Sequence, residues 1–300
     1  MIRDDRLMER GMTEVSKEGL PCLVFPSLEK LSCVEHLFTT RKGGVSRGDC
    51  ATLNLSFARE ENSDAVLENY RRVARALHSD VYHMVATKQT HTTNVRRVTE
   101  EDMGKGVVRE ADYTDVDGLV TNVPGIVLGV FTADCVPVYF VDPVHKAIGL
   151  AHSGWRGTVG GISSEVIRRM KEFYGTSPSD LICAIGPSIC RKCYEISEEV
   201  AVPFLKAYEN CGEFCEEIRK VQHYRMGTDD SGRIIDEGRF PGKYQLDLWL
   251  ANAVSLRREG VLAENIQITD LCTCENSREL FSHRASQGRR GNLGAFLMLK

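Results

Sequence analysis

The sequence predicts a mixed α/β fold, and three observations predict it. Short runs rich in Val and Ile, each bounded by turn residues, recur along the chain and read as buried strands. Stretches such as 64–77 and 246–259 carry the apolar spacing and charged face of amphipathic helices. No internal repeat and no Pro- or Ser-rich linker divides residues 1–300, so one domain is expected.

Residues 1–20 read as a flexible lead-in. Residues 22–25 and 36–39 are strands, followed by the basic glycine turn Thr40-Arg41-Lys42-Gly43-Gly44-Val45-Ser46. Such a turn can offer backbone N–H groups and an Arg to an anion, or simply close a hairpin. A helix is expected over 64–77, capped by Ser63 or Asp64. Residues 83–95 alternate Thr, Val and His, which suggests a strand with Gln89 and His91 on one face. Residues 99–114 read as an exposed loop, and 117–121 opens the central sheet.

That sheet continues through three apolar runs, 126–131, 136–141 and 147–151. The first ends in Thr132-Ala133-Asp134-Cys135; the third delivers His152, then Ser153-Gly154-Trp155-Arg156-Gly157. Cys135 and His152 thus sit at strand ends, where polar chemistry meets a rigid scaffold. A helix over 159–174 would put Gly154, Arg156 and Gly157 near its N-terminus, a natural anion site. Then come a strand at 181–185, a helix over 197–210 with Pro203 fitting poorly, a polar insertion over 211–243, the helix at 246–259 and a strand at 266–271. Residues 280–284 return to the same region, 287–293 form a basic glycine loop, and 295–299 is the last strand.

Composition narrows the function. The chain has 300 residues, 42% hydrophobic and 27% charged, enough for a sizeable core. A net charge of −4 gives no support to a nucleic-acid or membrane-surface partner. The opening MIRDDRLMERGMTEV lacks the apolar core of a signal peptide, and no apolar run has the length of a membrane span, so a cytoplasmic protein is expected. Eleven cysteines are an odd number without signs of secretion, which favours reduced thiols over a disulfide framework. Cys190 and Cys193 form a C-x-x-C outside any thioredoxin-like context; Cys272 and Cys274 form only a C-x-C, and no second pair lies at zinc-ribbon spacing.

Three residues stand out as metal ligands: His91, Cys135 and His152. Such a His₂Cys set suits zinc with an open position for water or substrate, and zinc would bring the pKa of that water towards neutrality. Singly, each has a plainer role as a surface histidine, a packed thiol or a hydrogen-bonded core histidine. Cys135 with His152, and Asp134 orienting the base, is also a candidate metal-free Cys–His catalytic pair. A binding module without turnover is the remaining reading.

The chain resembles the laccase-domain, or multicopper polyphenol oxidase-like, family, described as zinc-dependent purine nucleoside phosphorylases. The resemblance rests on motifs in order through nearly the whole chain. They are the turn at 40–46, Leu53-Asn54-Leu55, Gln89-Thr90-His91, Asp117-Gly118-Leu119-Val120-Thr121, Thr132-Ala133-Asp134-Cys135, and His152-Ser153-Gly154-Trp155-Arg156-Gly157-Thr158. Gly186-Pro187-Ser188-Ile189, Cys193-Tyr194-Glu195, Leu246-Asp247-Leu248 and Leu271-Cys272-Thr273 complete them. The resemblance implies a layered sandwich of mixed β-sheets flanked by helices, related to the catalytic domain of cytotoxic necrotizing factor toxins.

It also implies Zn²⁺ on His91, Cys135 and His152. From the residues themselves, Cys135, His152 and Asp134 are the expected catalytic groups, and Arg41, Gly43, Gly44, Asn54, Gln89 and Arg156 are expected to contact substrate or phosphate. The implied activity is phosphorolysis of adenosine, inosine and guanosine, with adenosine deaminase and S-methyl-5′-thioadenosine phosphorylase activities, in a monomer or homodimer. Copper-dependent polyphenol oxidation is the other reading of the family. A laccase, however, needs a His-rich copper cluster, and this chain has eight His and no H-x-H pair. Two departures stand out: Thr92 replaces the usual Gly after the first ligand His, and Asn292-Leu293-Gly294-Ala295-Phe296 replaces the usual Thr-Gly-Arg-Met.

Overall fold

The computed structural model describes residues 11–209, 225–228, 234–238 and 243–300, the two short internal segments by their backbone alone. In chain order the elements begin with β1 (Thr13–Lys17), β2 (Leu20–Val24), α1 (Pro26–Glu29), β3 (Val34–Thr39), α2 (Ser63–Ala76), β4 (Met84–Ala86), β5 (Val95–Arg97) and β6 (Gly118–Thr121). Next come β7 (Val127–Thr132), β8 (Val136–Asp142), β9 (Ala147–Ser153), α3 (Trp155–Gly160), α4 (Ile162–Tyr174), β10 (Ile182–Ile185), β11 (Glu195–Ser197) and α5 (Glu198–Ala207). The rest are β12 (Arg225–Thr228), β13 (Ile234–Gly238), β14 (Lys243–Gln245), α6 (Leu248–Arg258), β15 (Ile266–Ile268), α7 (His283–Ser286) and β16 (Leu293–Leu299).

Two mixed six-stranded sheets dominate, in the orders β1-β2-β3-β16-β7-β4 and β15-β10-β8-β9-β6-β5. The period-2 alternation of their strands assigns each side chain to a layer. In β8, Tyr139 and Val141 face the other sheet, while Val136, Val138 and Phe140 face the helices. In β16, Leu293, Ala295, Leu297 and Leu299 point between the sheets, while Phe296 and Met298 point outward to α2. The layers therefore run α2, first sheet, second sheet, then α4, α5 and α6. The central strands of both sheets are buried on both faces, which is why they read as near-continuous apolar runs. Gly149 lets α4 lie close on β9: a Cβ there would meet Val166 Cγ1 at 2.8 Å. No helix among the described residues is long and apolar enough to cross a membrane.

The structure corrects several expectations. The lead-in contains β1, paired with β2 from Thr13 to Lys17, and residues 1–10 lie outside the described residues. The cap of α2 is Asn62, whose side chain accepts from Ala65 N–H, one residue earlier than expected. Of the expected 83–95 strand, Met84–Ala86 is β4 in the first sheet and Val95 already opens β5 in the second; between them the chain crosses from one sheet to the other. Residues 99–114 are not an exposed loop. Lys105 is buried between Asp102 and Asp112, at 2.8 and 2.9 Å, and Tyr113 donates to the Ala86 carbonyl at 2.7 Å.

The expected helix over 159–174 is two helices, α3 and α4, broken at Gly161 (φ 85°). Only the short α3 therefore starts at Gly154, so the dipole of the long helix is not aimed there. Pro203 is accommodated inside α5. The strand after α6 ends at Ile268, and the last strand begins at Leu293. The expected insertion over 211–243 falls mostly outside the described residues; within it β12 and β13 pair as a hairpin.

Candidate metal centre

One end of the sandwich gathers the chemistry. There the chain crosses from the first sheet to the second over Ala133–Cys135 and again over the loop between β4 and β5, which carries His91. β8 and β9 pair with Val136 opposite Ser153 and Pro137 opposite His152, so Cys135 and His152 emerge at the same edge. β6 pairs antiparallel with β9, which brings Asp117 beside them: His152 N–H donates to the Asp117 carbonyl at 2.8 Å.

The ligand atoms of His91, Cys135 and His152 lie within 4.8 Å of one another. Cys135 Sγ is 3.9 Å from His91 Nε2, and the two imidazole rings stand edge to face with centroids 4.9 Å apart. His91 has φ 67°, a left-handed conformation that turns its ring back towards the cluster. Gly154 leaves room for the convergence: a Cβ there would lie 2.8 Å from His91 and 3.1 Å from Cys135 Sγ. The three donors therefore fit a metal, with a cradle that a methyl group would fill. Gly154→Ala is expected to lower metal affinity at least tenfold with a near-native melting point, measured by competitive chelation and calorimetry.

Asp117, to which the sequence assigned no chemistry, organises the site. It is fully buried. One carboxylate oxygen accepts from His152 Nδ1 at 2.8 Å and His91 N–H at 3.1 Å. The other accepts from Thr90 N–H, Thr92 N–H and the Thr92 hydroxyl at 3.1, 2.9 and 2.9 Å. This carboxylate–histidine contact fixes the His152 tautomer so that Nε2 is free to ligate, the usual outer partner of a metal-bound imidazole. Thr92, the departure from the family's glycine, adds its hydroxyl to the same carboxylate.

The charges are set by these contacts. Burial pushes the Asp117 carboxyl up, but His152 and the Thr92 N–H outweigh it and hold it at about 2. Burial likewise opposes the thiolate of Cys135; His152 foremost, with His91 adding, brings it down to about 6. Burial disfavours the imidazolium of His152, but the Cys135 thiolate and Asp117 raise it to about 9. Without an ion, the pair is poised as thiolate and imidazolium near neutrality.

Asp134 (φ 95°) forms the tight turn before Cys135. Its carboxylate accepts from the Thr273 hydroxyl at 2.6 Å and the Arg284 N–H at 2.7 Å, tying the turn to two later loops. Gln89 clips the end of β7, with Nε2 donating to the Phe131 carbonyl and Oε1 accepting its N–H, both at 2.7 Å. Arg41 donates to the Ala51 and Ser277 carbonyls at 3.0 Å and lies over the Phe281 ring, while Gly44 N–H donates to Thr52. Arg72 donates to the Gly43 carbonyl. Asn54 is buried and bonded to Ser56 and Asn292. Arg156 is exposed over the Trp155 ring.

A second residue the motifs did not single out is Arg290, in the basic loop before β16. It donates to Gly291 and Asn292 through Nη1, and its buried Nε has no partner among the described residues. Desolvation, with Arg59 next, lowers its pKa to about 10, and it feels the charges of Asp134 and Cys135. A half-starved guanidinium beside the ligand cluster is a place for an anion.

Comparison with known proteins finds relatives along nearly the whole chain. A family model described as multi-copper polyphenol oxidoreductase laccase matches residues 35–300. A purine nucleoside phosphorylase, YlmD, of Bacillus subtilis is 32% identical over 88% of this chain and 87% of its own length. Adenosine deaminase RL5, from an unknown prokaryotic organism, is 33% identical over 86% of this chain and 93% of its own. The crystal structure of YlmD from Geobacillus stearothermophilus superposes with a TM-score of 0.78 at 30% identity, covering 98% of this chain and 99% of that one.

Proposed function

This chain belongs to the multi-copper polyphenol oxidoreductase laccase family, and we propose that it is a zinc-dependent purine nucleoside phosphorylase. Its substrates on this reading are adenosine, inosine and guanosine, with adenosine deaminase and S-methyl-5′-thioadenosine phosphorylase as further activities. The same reading puts it in the cytoplasm and relates its sandwich to the cytotoxic necrotizing factor catalytic fold. The observation that carries it is the open His₂Cys cluster backed by Asp117, with a desolvated Arg290 beside it. The names of the relatives supply the reaction class.

His91, Cys135 and His152 would hold the ion, which supplies a Lewis acid for the substrate's developing charge. The chain's own groups do the rest. Asp117 keeps Nδ1 of His152 occupied, so the ring cannot swing out of the pocket. Arg290 holds orthophosphate so that a phosphate oxygen faces C1′ of the ribose. The new C1′–O bond forms as the glycosidic C–N bond breaks, and the purine leaves with that electron pair and takes up a proton. Deamination requires the purine to be turned so that water adds at C6, after which the C6–N bond breaks and ammonia leaves with a proton.

The test is inosine and adenosine turnover with and without phosphate. Phosphate-dependent release of free base with ribose 1-phosphate supports the reading. Release that ignores phosphate, or conversion of adenosine to inosine only, overturns phosphorolysis as the main activity. Activity that survives chelation but dies on alkylation of Cys135 favours the metal-free cysteine hydrolase. Arg290→Gln is expected to raise the KM for phosphate at least tenfold, with the metal content unchanged.

A further inference from the structure

A second group of thiols lies away from the ligands already described. Cys190 and Cys193, a C-x-x-C in the sequence, meet Cys272 with all three sulfurs within 4.8 Å of one another. Cys274 follows two residues after Cys272 and is half-buried, a fourth thiol on the same loop. Backbone pairing makes the meeting: Ser188 bridges Cys272, and Thr273 N–H donates to the Ser188 carbonyl at 3.1 Å. The spacing argument missed it because the two pairs lie on separate loops.

The surroundings favour a thiolate at Cys272. Cys272 Sγ accepts the Cys190 N–H at 3.3 Å and the Glu275 N–H at 3.5 Å. Backbone N–H groups aimed at sulfur favour the thiolate and orient it, as outer contacts do for metal ligands. Arg284 donates to the Cys193 carbonyl at 3.0 Å, setting a cation beside the cluster. Cys272 is buried while the other three cysteines are half-buried, which leaves the cluster near the surface. An ion about 2.3 Å from each sulfur needs sulfurs about 3.8 Å apart; Cys190, Cys193 and Cys272, already within 4.8 Å of one another, need only small side-chain rotations to reach that, and Cys274 is the candidate fourth ligand.

We propose that Cys190, Cys193, Cys272 and Cys274 form a second, structural site for a thiophilic divalent cation, a closed tetrahedral shell of the kind zinc takes. Binding replaces the thiol protons by bonds to the ion and releases them to solvent. Its structural consequence is local to both loops. Ile189 N–H donates to the Asp134 carbonyl at 3.0 Å, and the Thr273 hydroxyl binds the Asp134 carboxylate. An ion stapling loop 188–193 to loop 272–274 therefore also holds the turn that presents Cys135. The inference stands whether or not the chain turns over nucleosides.

The experiment is elemental analysis of the full-length protein purified without oxygen, with thiol titration and cobalt substitution. About two ions per chain are expected, one per site. His91→Ala should keep about one, with thiolate-to-cobalt absorption intact and a melting point that falls on chelation; Cys193→Ser should keep about one and lose most of that absorption. If Cys193→Ser fails to fold, His91→Ala alone decides. A His91→Ala protein without metal overturns the proposal. So do disulfides among these four cysteines in the protein as isolated, or iron with inorganic sulfide.

Discussion

Cys135→Ala is expected to abolish bound metal at the first site and to lower kcat/KM for phosphorolysis by about a thousandfold or more, a loss of about 4 kcal/mol in transition-state stabilisation. Cys135 is the only thiol among the three converging donors, and its loss leaves two imidazoles, too few for a tight site. The same group sets the pH dependence. The ion needs a thiolate and an unprotonated His152 nitrogen, while the metal-free site holds a proton on His152 up to about 9 and on Cys135 up to about 6. Between these values binding displaces one proton, so affinity should rise about tenfold per pH unit. Above the upper value it should level off; below the lower one it should fall more steeply as Cys135 also protonates. Competitive chelation across pH reads the curve, and a flat response between pH 6 and 9 would sink this account of the charges.

Asp117→Ala carries the second large effect, on stability and metal together. The substitution strips the partner from His152 Nδ1 and from the N–H groups of Thr90, His91 and Thr92 in a buried place. Breaking one buried charged contact costs about 3–5 kcal/mol, so a urea midpoint well below wild type is expected. Freed from its acceptor, the His152 ring can turn, and metal affinity should drop about 10- to 100-fold even in Asp117→Asn, which keeps the volume. An Asp117→Asn protein with unchanged affinity would show that the ring is held by packing alone. The depressed carboxyl also has a pH signature in the metal-free protein. Its contribution is full above the unfolded-state value of about 4, and it is lost as pH falls through about 2.

Much of this was legible along the chain. The runs at 126–131, 136–141 and 147–151 became β7, β8 and β9 because strands buried on both faces need no partner to be recognised. His91, Cys135 and His152 were legible as types and as strand ends, and the structure brings them together. Asp117 was quoted only as a strand start, since nothing local says that its carboxylate will meet a histidine 35 residues on. Arg290 sat in a loop noted for its charge, and its desolvation comes from packing. The 83–95 segment alternates like a strand, yet the chain must leave one sheet for the other there, and His91 turns left-handed to do it.

By itself the sequence determined the central strands, the helices α2 and α6 and the identity of the candidate ligands, because each depends on residue type and on spacing within a few positions. Only the tertiary structure decided which loops meet. It set Asp117 behind His152, Thr273 and Arg284 on Asp134, and the C-x-x-C against the C-x-C. Those pairings follow from sheet order and from where the chain crosses between sheets, and such long-range contacts leave no period in the sequence.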